Sequence, residues 1–273
     1  MSGYRISVIM PSLNEEKNVG RAVQNVTEGF ARYGVQGEII VVNDGSTDDT
    51  GRIAASLSEK HPFLSVLHHE KPQGIGASFW DGVRNSGGEI VTMLPGDGEN
   101  DAAETLRYLP VMDHVDIVVP FVFNKEVRSR RRRALSAVYR WTINLSFGLS
   151  LNYTNGTVMY RRCVLDGMTS RSRGFFYQTE LLIRSIRKGY LYAEVPHALA
   201  GRGAGASKAT TFASLLKVAR NYFSVMLDVY LRSGGDGGVS PDSVTALRWR
   251  RIKEDAASDA ADSAETFREW KKE

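Results

Sequence analysis

Two carboxylates one residue apart, Asp97 and Glu99, flank Gly98 directly after the apolar run 89–94. Where a buried strand emerges, such a pair can hold Mg²⁺ or Mn²⁺ against a diphosphate, because hard cations take one or two carboxylates together with phosphate and water. Taken alone, Asp-Gly-Glu after a strand is more often a turn. Two further polar clusters follow apolar runs. Pro11-Ser12-Leu13-Asn14-Glu15-Glu16 comes after run 5–10, and a helix cap by Asn14 explains it nearly as well as a ligand contact. Asn43-Asp44-Gly45-Ser46-Thr47-Asp48 closes run 38–43. There Asp44 can accept from a base or ribose donor, Gly45 permits a tight turn, and Ser46 or Thr47 can start a helix. A turn with a capping box accounts for these residues in isolation; their recurrence at neighbouring strand ends favours a site.

The elements that must position these loops are legible in the hydrophobic pattern. Short apolar runs at 5–10, 38–43, 63–69, 89–94 and 116–120 alternate with helix-like segments at 15–33, 47–60 and 75–85. This reads as an α/β fold with a mainly parallel central sheet flanked by helices, in which ligands bind beyond the carboxyl ends of the strands. From residue 124 the pattern changes to a basic segment, a helix over 133–149, a short strand at 157–161, a helix over 178–188, a strand at 190–195 and a glycine-rich loop. Residues 210–231 repeat apolar side chains at helical spacing, read as core packing or as an interfacial amphipathic helix. The expected division is a nucleotide-binding half over 1–123, an acceptor-binding half of the same domain over 124–232, and a flexible linker with a polar tail and a marginal or partly disordered terminal helix over 233–273.

Composition narrows the function classes. A chain of 273 residues with 42% hydrophobic content can bury a substantial core. Its net charge of +4 is mild, but Lys125, Arg128, Arg130, Arg131, Arg132 and Arg133 crowd nine positions, which suggests a local anionic partner and not a nucleic-acid-coating surface. The single Cys163 excludes an internal disulfide framework and a Cys-rich metal site. With no signal-peptide pattern and no run of about 18 apolar residues, the expected location is cytoplasmic, with peripheral contact at the inner membrane face left open.

Read in order, Pro11-Ser12-Leu13-Asn14-Glu15, Asn43-Asp44-Gly45-Ser46-Thr47-Asp48, Gly74-Ile75-Gly76-Ala77-Ser78 and Pro95-Gly96-Asp97-Gly98-Glu99 resemble the motifs of family-2 inverting glycosyltransferases of the GT-A fold. Asn155-Gly156-Thr157 with Tyr160-Arg161, Tyr177-Gln178-Thr179-Glu180, and Arg202-Gly203-Ala204-Gly205-Ala206-Ser207-Lys208 look like later signatures of the dolichyl- and polyprenyl-phosphate sugar transferases. The likeness covers residues 5–208. It departs at Pro95, where the family usually has an acidic residue, at Asn43, where it frequently has Asp, and at Glu99, where this subgroup commonly has Gln.

The resemblance implies transfer of a hexose, mannose or glucose, from a nucleotide-diphosphate sugar such as GDP-mannose or UDP-glucose to a polyprenyl or dolichyl phosphate. It places Pro11, Asn14, Glu15, Asp44, Gly74 and Gly76 at the nucleotide, and Asp97 and Glu99 as ligands to Mg²⁺ or Mn²⁺ on the donor diphosphate. Arg132 and Ser136, four residues apart, fall near the acceptor phosphate, which a guanidinium fork suits. Arg202 would close over the donor diphosphate. An acceptor hydroxyl needs a general base, for which Glu180 is the candidate; a phosphate acceptor attacks as an anion, and Glu180 then orients an arginine or the sugar. His197 reads as structural. Two other readings stand beside this one: transfer to a hydroxyl of a glycan, and a non-catalytic nucleotide-sugar-binding protein.

Overall fold

The computed structural model describes residues 5–124, 130–168, 172–198, 212–231 and 238–270. Seven strands make one sheet: β1 (Arg5–Ser12), β2 (Gln36–Asn43), β3 (Leu64–His68), β4 (Ile90–Met93), β5 (Ile117–Val122), β6 (Met159–Arg161) and β7 (Tyr192–His197). Their order is β3-β2-β1-β4-β6-β5-β7, with β6 antiparallel to both neighbours and the other pairs parallel. Two antiparallel steps restore the direction, so β5 and β7 run with β1, β2, β3 and β4. The carboxyl ends of six strands therefore share one edge.

The apolar runs became strands because most are buried on both faces, as a covered parallel sheet requires. Val8, Ile39, Val41, Val91 and Val118 are all fully enclosed. Helices α1 (Val19–Tyr33), α2 (Thr50–Lys60), α3 (Ile75–Arg84) and the short α4 (Ala102–Leu106) belong to the first half. Val19, Ala22, Val23, Val26 and Phe30 turn one stripe of α1 into the core, and Gly34 ends the helix in the left-handed region at φ 62°. The second half contributes α5 (Arg130–Phe147), the short α6 (Arg162–Asp166), α7 (Tyr177–Arg187) and α8 (Phe212–Leu231). Between α5, α7 and α8 lies a separate core of Ile143, Phe147, Phe176, Ile183, Val225 and Val229.

Val244–Trp270 is one helix, α9, whose first turn is tied to the domain. The Asp116 carboxylate, fully buried at the start of β5, accepts from the backbone N–H groups of Val244 at 2.7 Å and Thr245 at 3.0 Å, and from the Thr245 hydroxyl. An anion at a helix N-terminus satisfies donors that have no partner inside the helix and complements the dipole. No helix among the described residues is long and apolar enough to cross a membrane.

Candidate active site

Three loops meet where β1, β2 and β4 end. The Leu94 and Gly96 N–H groups donate to the Ile9 and Pro11 carbonyls, at 3.0 Å each, so the β1–β4 pairing continues past the strand proper. Pro95 lies between these two donors, where the ladder takes no N–H from it, and the substitution costs no hydrogen bond there. A Cβ at Gly96 would stand 2.2 Å from Ser12 Oγ, so only glycine lets the two loops lie this close. On the other side of β1, the Asp44 N–H donates to the Ser12 carbonyl at 2.9 Å.

The acidic motif is folded by its own hydrogen bond. The Glu99 N–H donates to Asp97 Oδ1 at 3.0 Å, across Gly98 at φ 68°. The guanidinium of Arg21, from α1, comes within 3.2 Å of the position a Cβ on Gly98 would take. Arg21 in turn donates to Asn18 Oδ1 at 3.1 Å, and Asn18 Nδ2 to Glu15 Oε2 at 2.8 Å. Sequence reasoning missed Arg21; its place three residues after Asn18 was the available signal. Among the described residues no cluster of three or more His, Cys, Asp or Glu forms a metal cage. Two carboxylates at an open turn instead fit a hard cation that completes its shell from substrate phosphates and water.

Asn14 is the only non-glycine residue at positive φ among those described, at 57°. Its side chain accepts from the Thr47 N–H at 2.9 Å, and its own N–H donates to Ser46 Oγ at 3.0 Å. The Glu15 N–H donates to Thr50 Oγ1 at 2.7 Å, while Glu16 and Asp48–Asp49 exchange backbone-to-carboxylate bonds at 3.1 and 3.2 Å. The first loop is thereby clipped to the start of α2, which is why residues 15–18 form a turn and the helix begins only at Val19. Asn43 uses both ends of its amide: Oδ1 accepts from the Ser46 N–H at 3.2 Å and Nδ2 faces His68 Nδ1 at 3.1 Å. An Asp could make the first bond but could not donate the second.

Asp44 is 4% exposed. Its carboxylate accepts from His69 Nδ1 at 2.7 Å, the Gln73 N–H at 2.8 Å and the Gly74 N–H at 2.9 Å. His69 Nε2 meets Asp81 Oδ2 at 3.1 Å, and Asp81 pairs with Arg84. This chain of four side chains, absent from the sequence reading, fixes the loop before α3. The Gly76 N–H donates to the Arg173 carbonyl at 2.7 Å, and a Cβ at Gly74 or Gly76 would crowd the carbonyls of Arg173 or Ser172. Those glycines join the two halves of the domain.

Glu180 is completely buried on α7. Oε1 accepts from Arg184 Nε at 2.9 Å and Oε2 from the Ser172 N–H at 3.0 Å, while Arg184 reaches Asp228 of α8 at 3.1 Å. The carboxylate orients an arginine here. Ser136 of α5 lines a shallow recess with Val122, Arg133, Arg140, Asn152 and Tyr153. Val122 ends β5, so the recess opens at the same sheet edge as the three loops. Sequence reasoning did not single out Arg140 or Tyr153; Arg140 stands one helical turn beyond Ser136. The Arg132 side chain, Arg202, Ser207 and Lys208 lie outside the described residues. His197, at the end of β7, is buried with Nδ1 unpartnered, and burial holds its pKa below the ordinary value.

Residues 7–168 match Glycosyl transferase family 2. The chain belongs to this family. It is 30% identical over 217 residues to the polyprenol monophosphomannose synthase of Mycolicibacterium smegmatis, covering 75% of this chain and 80% of that protein. It is 25% identical over 225 residues to the undecaprenyl-phosphate mannosyltransferase of Micrococcus luteus, covering 75% and 87%. The fold is shared with glucosyl-3-phosphoglycerate synthase of Mycobacterium tuberculosis, solved with Mg²⁺ and uridine diphosphate, at a TM-score of 0.61 and 21% identity over 82% of this chain and 80% of that one. This family-2 protein is a GT-A glycosyltransferase, and the edge where β1, β2 and β4 end is its candidate active site.

Proposed function

We propose that this glycosyltransferase moves a hexose from a nucleotide-diphosphate sugar to a polyprenyl phosphate, with inversion, at the surface of a membrane. The convergence of the Pro11–Glu16, Asp44–Asp49 and Asp97–Glu99 loops on one sheet edge, with the Ser136 recess on that same edge, carries this reading. Both named relatives act, by name, on polyprenol or undecaprenyl phosphate.

In this assignment Pro11, Asn14, Glu15 and Asp44 build the nucleotide pocket, and Asp44 acts by holding the 73–74 backbone in place. Asp97 and Glu99 hold the divalent cation on the donor diphosphate. When bound, that cation neutralises charge developing on the leaving nucleoside diphosphate. Arg21 adds a positive charge beside the same turn. Arg132 and Ser136, with Arg133 and Arg140 of the same helix, receive the acceptor phosphate. That phosphate is already an anion and needs no proton removed, which suits a site whose best-placed carboxylate, Glu180, is fully enclosed. Arg202 and its glycine-rich loop supply charge over the donor.

The test is incubation of the purified protein with radiolabelled GDP-mannose or UDP-glucose, Mn²⁺ and a membrane lipid extract. Label entering the organic phase, with one donor preferred, is the expected result. Label confined to aqueous products would assign the acceptor to the hydroxyl class and overturn the lipid-phosphate reading.

A further inference from the structure

The recess beside Ser136 has a wall that the chain builds by turning back on itself. Helix α5 is followed by Gly148 in the left-handed region at φ 65°, and the Leu149 N–H returns to the Asn144 carbonyl at 3.0 Å. The next residues then run back along the helix. Asn144 holds Leu151 by both ends of its amide, Nδ2 donating to the Leu151 carbonyl at 2.8 Å and Oδ1 accepting the Leu151 N–H at 3.1 Å. One turn earlier on α5, Arg140 Nη1 donates to the Asn152 carbonyl at 3.4 Å. One turn earlier again, Ser136 and Ala137 share the recess with Tyr153. Arg133, Ser136, Ala137, Arg140 and Asn144 follow one another at helical spacing, so one face of α5 and the returning segment form two sides of the recess.

Strand β7 fixes the returning segment from its other side. The Glu194 carboxylate accepts the Asn152 N–H on Oε1 at 2.6 Å and Asn152 Nδ2 on Oε2 at 2.8 Å. Both oxygens are engaged by one residue, which sets the backbone and the side chain of Asn152 together. Asn152 lines the recess and Glu194 does not, so among the described lining residues there are arginines but no carboxylate to repel an anion. A guanidinium presents a fork of donors; one held on the Asn152 carbonyl fixes the group while the others can meet a phosphate. A long side chain fixed beforehand also loses less rotamer freedom when the anion arrives.

We propose, resting on the acceptor-phosphate reading above, that Glu194 and Asn152 are positioning residues for the acceptor: by fixing the Asn152 carbonyl they hold the Arg140 guanidinium at the recess, ready for the phosphate monoester.

Steady-state transfer to a short, water-soluble prenyl monophosphate tests this, with both KM values, kcat and the thermal unfolding midpoint measured for each variant. Glu194→Ala should raise the acceptor KM about tenfold, the scale of one hydrogen bond to a charged group, and leave the donor KM within about twofold. Asn152→Asp sets two carboxylates against each other and should do the same. The exchanged pair N152D/E194Q should bring the acceptor KM back to within about twofold of wild type. Its glutamine amide offers an oxygen to the N–H of position 152 and an NH₂ to the new carboxylate, at unchanged net charge. In an Arg140→Ala background, itself weakened for the acceptor, Glu194→Ala should raise the KM no further, because the pair acts through that guanidinium. An acceptor KM that rises in Arg140→Ala but in neither Glu194→Ala nor Asn152→Asp would overturn the positioning role and leave the acceptor reading in place. Additive losses in E194A/R140A, an exchanged pair that melts like wild type without recovering its KM, or an equal rise in the donor KM would also overturn it. A wild type that transfers nothing to the prenyl phosphate would overturn the acceptor reading itself, and this proposal with it.

Discussion

At the scale of single residues, the proposed donor site rests on carboxylates whose positions are set by backbone donors. Asp97 accepts the Glu99 N–H across a left-handed glycine, so Asp97→Ala removes the bond that shapes the turn together with the proposed cation ligand. Loss of charge stabilisation of this kind costs about 3 kcal/mol, roughly a hundredfold in kcat. The expected result is that D97A loses that activity together with metal-dependent donor binding in calorimetry; undiminished turnover would remove Asp97 from the role. The Asp44–His69–Asp81 chain makes a separate prediction. His69→Gln withdraws the donor from Asp44 and should raise the donor KM about tenfold, the scale of one charge-assisted hydrogen bond, with kcat little changed. His69→Asn keeps an amide donor near the position of Nδ1 and should restore most of it. An equal KM for both variants would show that His69 only fills space. The sequence presented Asp44 as a ligand contact but gave no view of His69, because the bond joins residues 25 apart through a loop whose course no local pattern encodes.

At the scale of elements, strands and helices of the first half were readable because each buries a regular apolar pattern. Their ends were less so: the turn at 15–18 depends on Asn14 at positive φ and on bonds to residues more than thirty positions away. The second half turns on one buried network. Glu180→Ala would leave the Arg184 guanidinium buried with Asp228 alone, and breaking such a pair costs about 3–5 kcal/mol, seen as a lower urea midpoint. Glu180→Gln keeps an acceptor for Ser172 and should retain most transfer to a phosphate acceptor, whereas a general base so altered would lose about a hundredfold or more. The end of β7 adds a pH dependence. Burial lowers the His197 pKa below its ordinary value of about 6.5, with Arg107 acting in the same direction and Glu104 and Asp101 opposing it. The unfolded chain therefore binds the extra proton more readily than the folded one, and stability should fall as pH drops below about 6.5. Thermal unfolding of His197→Gln should show a shallower loss over that interval; an unchanged slope would assign the acid sensitivity elsewhere.

At the scale of the whole molecule, the question is how a chain with no membrane-spanning helix among its described residues would reach the proposed acceptor with its polyprenyl chain. The sequence left residues 210–231 open between core and interface, and the structure buries some of the apolar side chains of α8 and leaves others exposed. Val225 and Val229 of α8 pack inward with Ile143 and Phe147 of α5, while Phe223, Leu227, Tyr230 and Leu231 stay exposed. Along α5, Leu135, Val138, Trp141 and Leu145 are exposed as well, Trp141 to 66% and Leu145 to 68%. The helices are joined at a seam where the Ser146 and Tyr222 hydroxyls meet at 2.6 Å and Phe147 lies edge-on to Tyr222, and each carries exposed apolar residues away from it. Exposed apolar surface of this extent marks an interaction site, and Trp, Tyr and Phe beside basic residues suit the headgroup boundary. Arg130 and Arg133 are exposed at the start of the same α5 whose Ser136 lines the recess. Docking this face on an anionic bilayer would bring the recess to the level where a lipid phosphate resides. Flotation with vesicles containing anionic lipid should therefore capture the wild type and lose most of the W141S/L145S/F223S variant, with salt weakening the remainder. The same variant should keep its activity on a short-chain, water-soluble polyprenyl phosphate, which needs the recess but not the bilayer. If flotation were unchanged, the exposed faces of α5 and α8 would have to serve another partner; if activity on the soluble acceptor fell equally, their contribution would be to the fold of the second half and not to where it docks.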